Sequence, residues 1–266
     1  MKTLGLNGLM KGYSKLELIL RNFNGMDSPV PCSSDVRISP NNQSIIEKTK
    51  KPGKRSNNSL KMVWEFLQFE ILNKLFQIYS QQSDIKLHVP QPIAVYPSQH
   101  KLLTSFCSGF ILHSFNQVER GTKAIHLNTE VPIELSVAYH LGALNKLKEL
   151  EGVYHSDYDL RHVIFDPIKK RMAMFDLENS RYVTSKNKLN AESAGIVQQW
   201  FKLAEGRGMS KTDLLNFYYQ GYEKVKRAEK NYIAVVGEVE EEYGVQIAVT
   251  RGEIDGCDVG LRTIRS

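Results

Sequence analysis

The sequence predicts an α+β fold in two parts: a small β-rich part with one long helix over residues 1–106, and a mostly helical part over 107–266. Three observations predict it. Residues 59–78 repeat apolar side chains at helical spacing (Leu60, Val63, Trp64, Leu67, Ile71, Leu72, Leu75, Phe76), among short strand-like runs. Residues 133–150 do the same (Leu135, Ala138, Leu141, Leu144, Leu147, Leu150), with Gly152 as a stop signal. Between that helix and later helical stretches lies YHSDYDLRHVIFDPIKKRMAMFDLENS, residues 154–180. It reads as a polar loop, a strand, a Pro/Lys turn and a second strand, with a carboxylate at each end. Such a hairpin returns the chain on itself. Asp157 and Asp176 are therefore expected to face one cleft.

Taken in order, residues 1–50 read as β-rich and irregular. Leu16 to Arg21 is a strand candidate, preceded by the turn Lys11-Gly12-Tyr13-Ser14. Asn, Ser, Pro and Gly between positions 22 and 42 mark loop or a poorly ordered insertion. Ser44 to Lys48 is a short β-like run ending in lysine, with Lys50 and Lys51 close behind in the basic segment EKTKKPGKR. Ser59 is placed to cap the first helix, which carries Glu65 and Glu70. Val89-Pro90-Gln91-Pro92 breaks the chain, because proline imposes extended backbone before it. Strands are expected at 93–96 and 101–106, followed by Cys107-Ser108-Gly109. Beyond Asp176, helices are expected at about 191–204 and 211–230, split by Gly206-Arg207-Gly208. The segment 235–266 stays unassigned, and no internal repeat is visible.

Composition narrows the classes. A 41% hydrophobic content supports a packed core, and 35 basic against 29 acidic residues give a net charge of +6 and a pI near 9.0. That excess suits nucleotide phosphates, RNA or an anionic surface. The basic run lacks interleaved aromatics and no RNA-binding signature stands out, so a nucleic-acid module ranks last. Cys32, Cys107 and Cys257 lie far apart with no C-x-x-C, against a disulfide framework and a structural zinc site. No apolar run reaches the roughly 18 residues of a membrane helix, and the N-terminus lacks a signal-peptide core. A cytoplasmic protein is expected.

The stretch H-S-D-Y-D-L-R-H-V-I resembles the H-x-D-x-x-x-x-N catalytic loop of the protein-kinase-like superfamily. The likeness is nearest to its atypical branches: aminoglycoside and choline phosphotransferases, lipopolysaccharide kinases, RIO and Bud32 types. Phe175-Asp176-Leu177-Glu178 resembles their D-F-G element, and the nineteen-residue gap from Asp157 to Asp176 fits. The resemblance implies a two-lobed protein-kinase-like fold and an ATP- and Mg²⁺-dependent phosphotransferase, with Mn²⁺ as the alternative ion. The nucleotide is the first partner and an unknown hydroxyl-bearing acceptor the second. By that resemblance Asp157 orients the acceptor hydroxyl and His155 supports the loop. Asp176 holds metal, with His162 at the position of the second metal-binding Asn. Lys48 holds phosphate, with Lys50 and Lys51 as rivals. Glu70 rather than Glu65 braces that lysine. Gly12 and Ser14 belong to the nucleotide loop, and 107–109 to the hinge between lobes. His162, the single glycine of the loop and Leu-Glu after Asp176 favour the alternative, a pseudokinase that binds nucleotide or a partner protein without transfer. Asp159 has no assigned role.

Overall fold

The computed structural model describes residues 34–39, 42–50, 58–82, 85–115, 131–245 and 247. The turn bearing Gly12 and Ser14, the strand candidate at 16–21, Lys51 and the segment 248–266 lie outside the described residues.

The first sheet has the order β1-β2-β5-β4, all antiparallel: β1 (Ser34–Ser39), β2 (Asn42–Lys50), β4 (Pro92–Tyr96) and β5 (Lys101–Ser105). Lys48 sits on β2 opposite Leu102 of β5. Because side chains alternate along a strand, Lys48 and Lys50 share a face. Helix α1 (Asn58–Gln82) packs across this sheet, touching β4 and β5. It is buried nearly all round, with Met62, Ile71, Leu72 and Leu75 fully enclosed.

The second sheet has the order β3-β9-β8-β6. Its centre is the expected hairpin, β8 (Val163–Asp166) against β9 (Arg171–Met174), with Val163 opposite Met174. The turn closes with Lys170 at φ 47°, while Asp166 Oδ1 accepts the backbone N–H groups of Ile168 and Lys169, both at 3.0 Å. The flanking strands come from earlier in the chain. β3 (Lys86–His88) runs parallel to β9, and β6 (Phe110–Ile111) antiparallel to β8. Gly109 precedes β6 at φ 124°, and a Cβ there would meet Phe165 O at 2.4 Å. Only glycine permits that approach.

Helix α2 (Ile133–Glu151) ends on Gly152 in the left-handed region, whose N–H bonds the Lys148 carbonyl. It delivers the chain to β7 (Val153–His155), which pairs with β10 (Ser180–Tyr182). Helices α3 (Lys186–Glu205), α4 (Lys211–Lys224) and α5 (Tyr232–Tyr243) follow. Two crossing glycines bring α2 and α4 together: a Cβ on Gly142 would meet Tyr218 O at 1.9 Å, and one on Gly221 would meet Tyr139 O at 1.8 Å. Ridge-into-groove packing cannot close that far with any side chain between the backbones.

The helices expected at 59–78 and 133–150 are present with slightly longer ends. The one expected from 191 begins at Lys186, capped by Ser185. The one expected to reach 230 stops at Lys224, and the unassigned acidic segment is part of α5, capped by Asn231.

Candidate functional site

The site forms where β2, α1 and the two loops flanking the β8–β9 hairpin meet. Its centre is Lys48. Its ammonium donates to both carboxylate oxygens of Glu65 at 2.9 and 2.8 Å and to Asp176 Oδ1, and lies 3.8 Å from Glu178. Lys50 pairs with Glu178 from the same face of β2. Burial by itself lowers a lysine, but Glu65, Asp176 and Glu178 outweigh it and hold Lys48 above the ordinary lysine value. Burial likewise pushes Asp176 up, and Lys48 more than reverses it, so Asp176 is lowered and ionised.

Two cross-ties fix the loops. His155 is fully buried. Its Nε2 lies 2.9 Å from the Asp176 carbonyl and its Nδ1 3.2 Å from the Asp157 N–H. A carbonyl only accepts and an amide only donates, so His155 is the neutral Nε2–H tautomer. Burial, with Lys148 and His162 nearby, lowers it to about 4, in keeping with that tautomer. Asp176 itself stands in the left-handed region at φ 60°, an uncommon conformation for a residue with a Cβ. The bond from His155 to its carbonyl holds it there. The second tie is His162. Its Nδ1 lies 2.7 Å from the Asp157 carbonyl and must donate to it, which turns Nε2 toward Asp176 Oδ2 at 3.3 Å. The Asp157 side chain is 3.8 Å from His162 Nδ1. The structure thus brings Asp157, His155, His162, Asp176 and Lys48 into one connected cluster.

Glu65, Asp176 and Glu178 each bring a carboxylate oxygen within 4.8 Å of the others. Hard oxygen donors of this kind suit a divalent cation such as Mg²⁺. The Nε2 of His162 adds an imidazole donor beside Asp176, a ligand type less suited to Mg²⁺ than oxygen is. Lys48 lies among these carboxylates, so their donor set is shared between an ammonium and whatever cation binds.

No protein-family model matches the sequence, and no curated protein sequence matches it significantly. Solved structures do. The Rio2 kinase–ADP/Mg²⁺–phosphoaspartate complex from Chaetomium thermophilum superposes with a TM-score of 0.53 at 14% identity, covering 88% of this chain and 70% of that one. The fold is protein-kinase-like. WaaP in complex with acyl carrier protein (TM-score 0.45, 13% identity, 92% of this chain and 97% of that one) and WbdD with the kinase inhibitor LY294002 (0.41, 15%, 85% and 47%) are also similar. At such identities the likeness fixes the fold and nothing finer.

Within this kinase-like fold one expected pairing is corrected. Glu65, not Glu70, meets Lys48. Glu65 is 1% exposed on the side of α1 facing β2, whereas Glu70 faces α5 and accepts from Tyr243 OH at 2.7 Å. Lys50, kept as a rival for the phosphate lysine, pairs with Glu178 instead of Glu65 or Asp176.

Three participants escaped the sequence reading. Glu178 closes the ring of carboxylates. Lys148 and Glu192 form a buried pair beneath the loop: Glu192 Oε1 accepts from Lys148 Nζ and from the His155 N–H, both at 2.8 Å. The Lys148 ammonium lies 3.1 Å from the centre of the Tyr158 ring, and Tyr158 OH donates to Asn145 at 3.1 Å. The available signal was Lys148 within a leucine-rich helical face, where a charge needs a buried partner.

Proposed function

We propose that the protein is an ATP- and Mg²⁺-dependent phosphotransferase that moves a phosphoryl group to a hydroxyl acceptor, in a cytoplasmic setting. The nucleotide would lie between a small lobe over residues 1–106 and a large lobe over 107–266. The observation that carries the reading is the Lys48 ammonium held between Glu65 and Asp176, with Asp157 tied to the same cleft through His162.

In this reading Lys48 grips the donor phosphates and Glu65 keeps it extended toward them. Asp176 and Glu178, with His162 beside them, would hold Mg²⁺, which when bound neutralises phosphate charge. Asp157 orients the acceptor hydroxyl and receives its proton. The acceptor oxygen bonds to the γ-phosphorus as the bond to the bridging oxygen breaks and ADP leaves. Positioning and charge compensation do most of the work. Gly12 and Ser14 remain the proposed phosphate loop.

The test is transfer of labelled phosphate from ATP to a panel of hydroxyl acceptors, with Asp157→Asn and Asp176→Asn as controls. Wild type should transfer and both variants should lose at least about a hundredfold. Equal signal from all three sinks the assignment.

A pseudokinase is the second reading. It is favoured by the direct contact of Lys48 with Asp176, which must open to admit phosphate and metal, and by an imidazole where the resemblance calls for an amide. Mg-ATP raising the melting temperature without any transfer or slow hydrolysis would select it.

A further inference from the structure

Asp159 and Arg161 take no part in the scheme above, yet they flank its proposed base. Asp159 Oδ1 accepts twice from Arg161, from the backbone N–H at 2.9 Å and from Nε at 3.0 Å. One carboxylate oxygen thereby fixes both the backbone and the side chain of a surface arginine. The guanidinium is carried to Asp157, with its Nη2 at 3.6 Å from Asp157 Oδ1. That is beyond hydrogen-bond distance, and the side chain stays 57% exposed.

The two oxygens of Asp157 face different company. Oδ2 turns toward His162, whose other ring nitrogen faces Asp176. Oδ1 turns toward Arg161 and solvent, with the Asp157 side chain 51% exposed. Lys48 and Asp176 are less exposed, at 14% and 33%. The guanidinium thus stands on the open side of the base, away from the proposed phosphate and metal groups. An acceptor hydroxyl reaching Asp157 from solvent passes beside it. A planar guanidinium anchored through Nε, more than half exposed and with no Nη group within hydrogen-bond distance of Asp157, keeps donors that match an oxyanion.

The geometry points to Arg161 as an anion-binding residue on the acceptor side of the cleft, held in place by Asp159, so that the acceptor carries a phosphate, carboxylate or similar anionic group near its reactive hydroxyl. This rests on the phosphotransferase reading for the word acceptor. The anion site itself stands on the Asp159–Arg161 geometry.

The experiment is calorimetric titration of the full chain, loaded with Mg-ADP, with inorganic phosphate and glycerol 3-phosphate as anionic probes and glycerol as the neutral control. Wild type should bind both anions and bind glycerol far more weakly. Arg161→Gln should weaken the anions about tenfold or more, Arg161→Lys should recover part of that, and Asp159→Asn should fall between wild type and Arg161→Gln because the arginine is released rather than removed. Circular dichroism checks that each variant keeps its fold. Equal anion affinity in wild type and Arg161→Gln, or no anion binding in wild type, overturns the inference. Failure of the phosphotransferase reading shows separately, as no transfer of labelled phosphate from ATP to any hydroxyl acceptor.

Discussion

Two lysines, each bonded to a glutamate distant in sequence, behave in opposite ways. Lys48 sits among Glu65, Asp176 and Glu178, and these carboxylates hold it above the ordinary lysine value. Lys148 lies under the loop with Glu192 alone, both almost without exposure, and burial drives it down to about 8 against the pull of that one carboxylate. Surplus negative charge marks a place that can exchange partners, since a cation can enter without stranding a buried ion. A one-to-one pair sealed from water has no such freedom. Its work is to hold the His155 backbone in place.

The largest effect that sharpens this contrast is Glu192→Gln. It leaves the Lys148 ammonium without a counter-charge and gives the His155 N–H a neutral amide oxygen in place of a carboxylate. Stability should fall by roughly 3–5 kcal/mol in urea unfolding, and the double variant Lys148→Met/Glu192→Gln should recover a good part of it. A loss below about 1 kcal/mol would break the contrast, because it would mean that water reaches the pair. Glu65→Gln is expected to cost less, about 1–2 kcal/mol, since Lys48 keeps Asp176 and Glu178. Phosphoryl transfer should nonetheless drop, because the lysine loses the group that keeps it extended. Glu70→Gln should cost about 1 kcal/mol or less, from its bond to Tyr243, and leave transfer as it was. If Glu70→Gln abolished transfer and Glu65→Gln did not, the pairing described here would be wrong.

The subtlest contrast is in pH. The folded-state value of Lys148 lies below its unfolded value of 10.5. Between pH 8 and 10.5 the unfolded chain therefore binds more protons at this site, and stability rises with pH. From pH 7.5 to 9.5 the gain should be roughly 1–2 kcal/mol, read as wild type minus Lys148→Met so that tyrosines cancel. Lys48, shifted the other way, keeps its full contribution below its unfolded value, and that is lost only at higher pH. Lys48→Met should leave the slope over that range unchanged.

Much of the fold was legible because its signals are local. The hairpin at 163–174 announces itself by two apolar runs around a Pro/Lys turn, and α2 by a leucine stripe ending at Gly152. The convergence of Asp157 and Asp176 followed from that hairpin. What stayed hidden depends on elements distant in sequence. Glu65 and Glu70 look alike on a helix that is apolar nearly all round, and the choice between them is made by α5, which covers the Glu70 side with Tyr243. That helix lies in the acidic segment, where few apolar residues alternate clearly with charge. Gln68 was the missed hint: it lies three residues from Glu65, equally buried, and bonds Tyr232 OH at 3.1 Å. Two enclosed polar residues one turn apart, in an otherwise apolar helix, mark a face with polar partners. Lys148 and Glu192 could not be joined from sequence, because 44 residues and the whole hairpin separate them.

The β8–β9 hairpin is not an edge. β3 borders it on one side and β6 on the other, and both strands precede α2 in the chain. Chain made early is thus needed to finish a ladder whose middle is made late. During synthesis the hairpin finds its neighbours already waiting. A protein cut between β5 and β6 would leave β9 without its parallel partner unless the two fragments were produced together, which makes this junction a natural place to engineer a split reporter whose halves report on each other's presence.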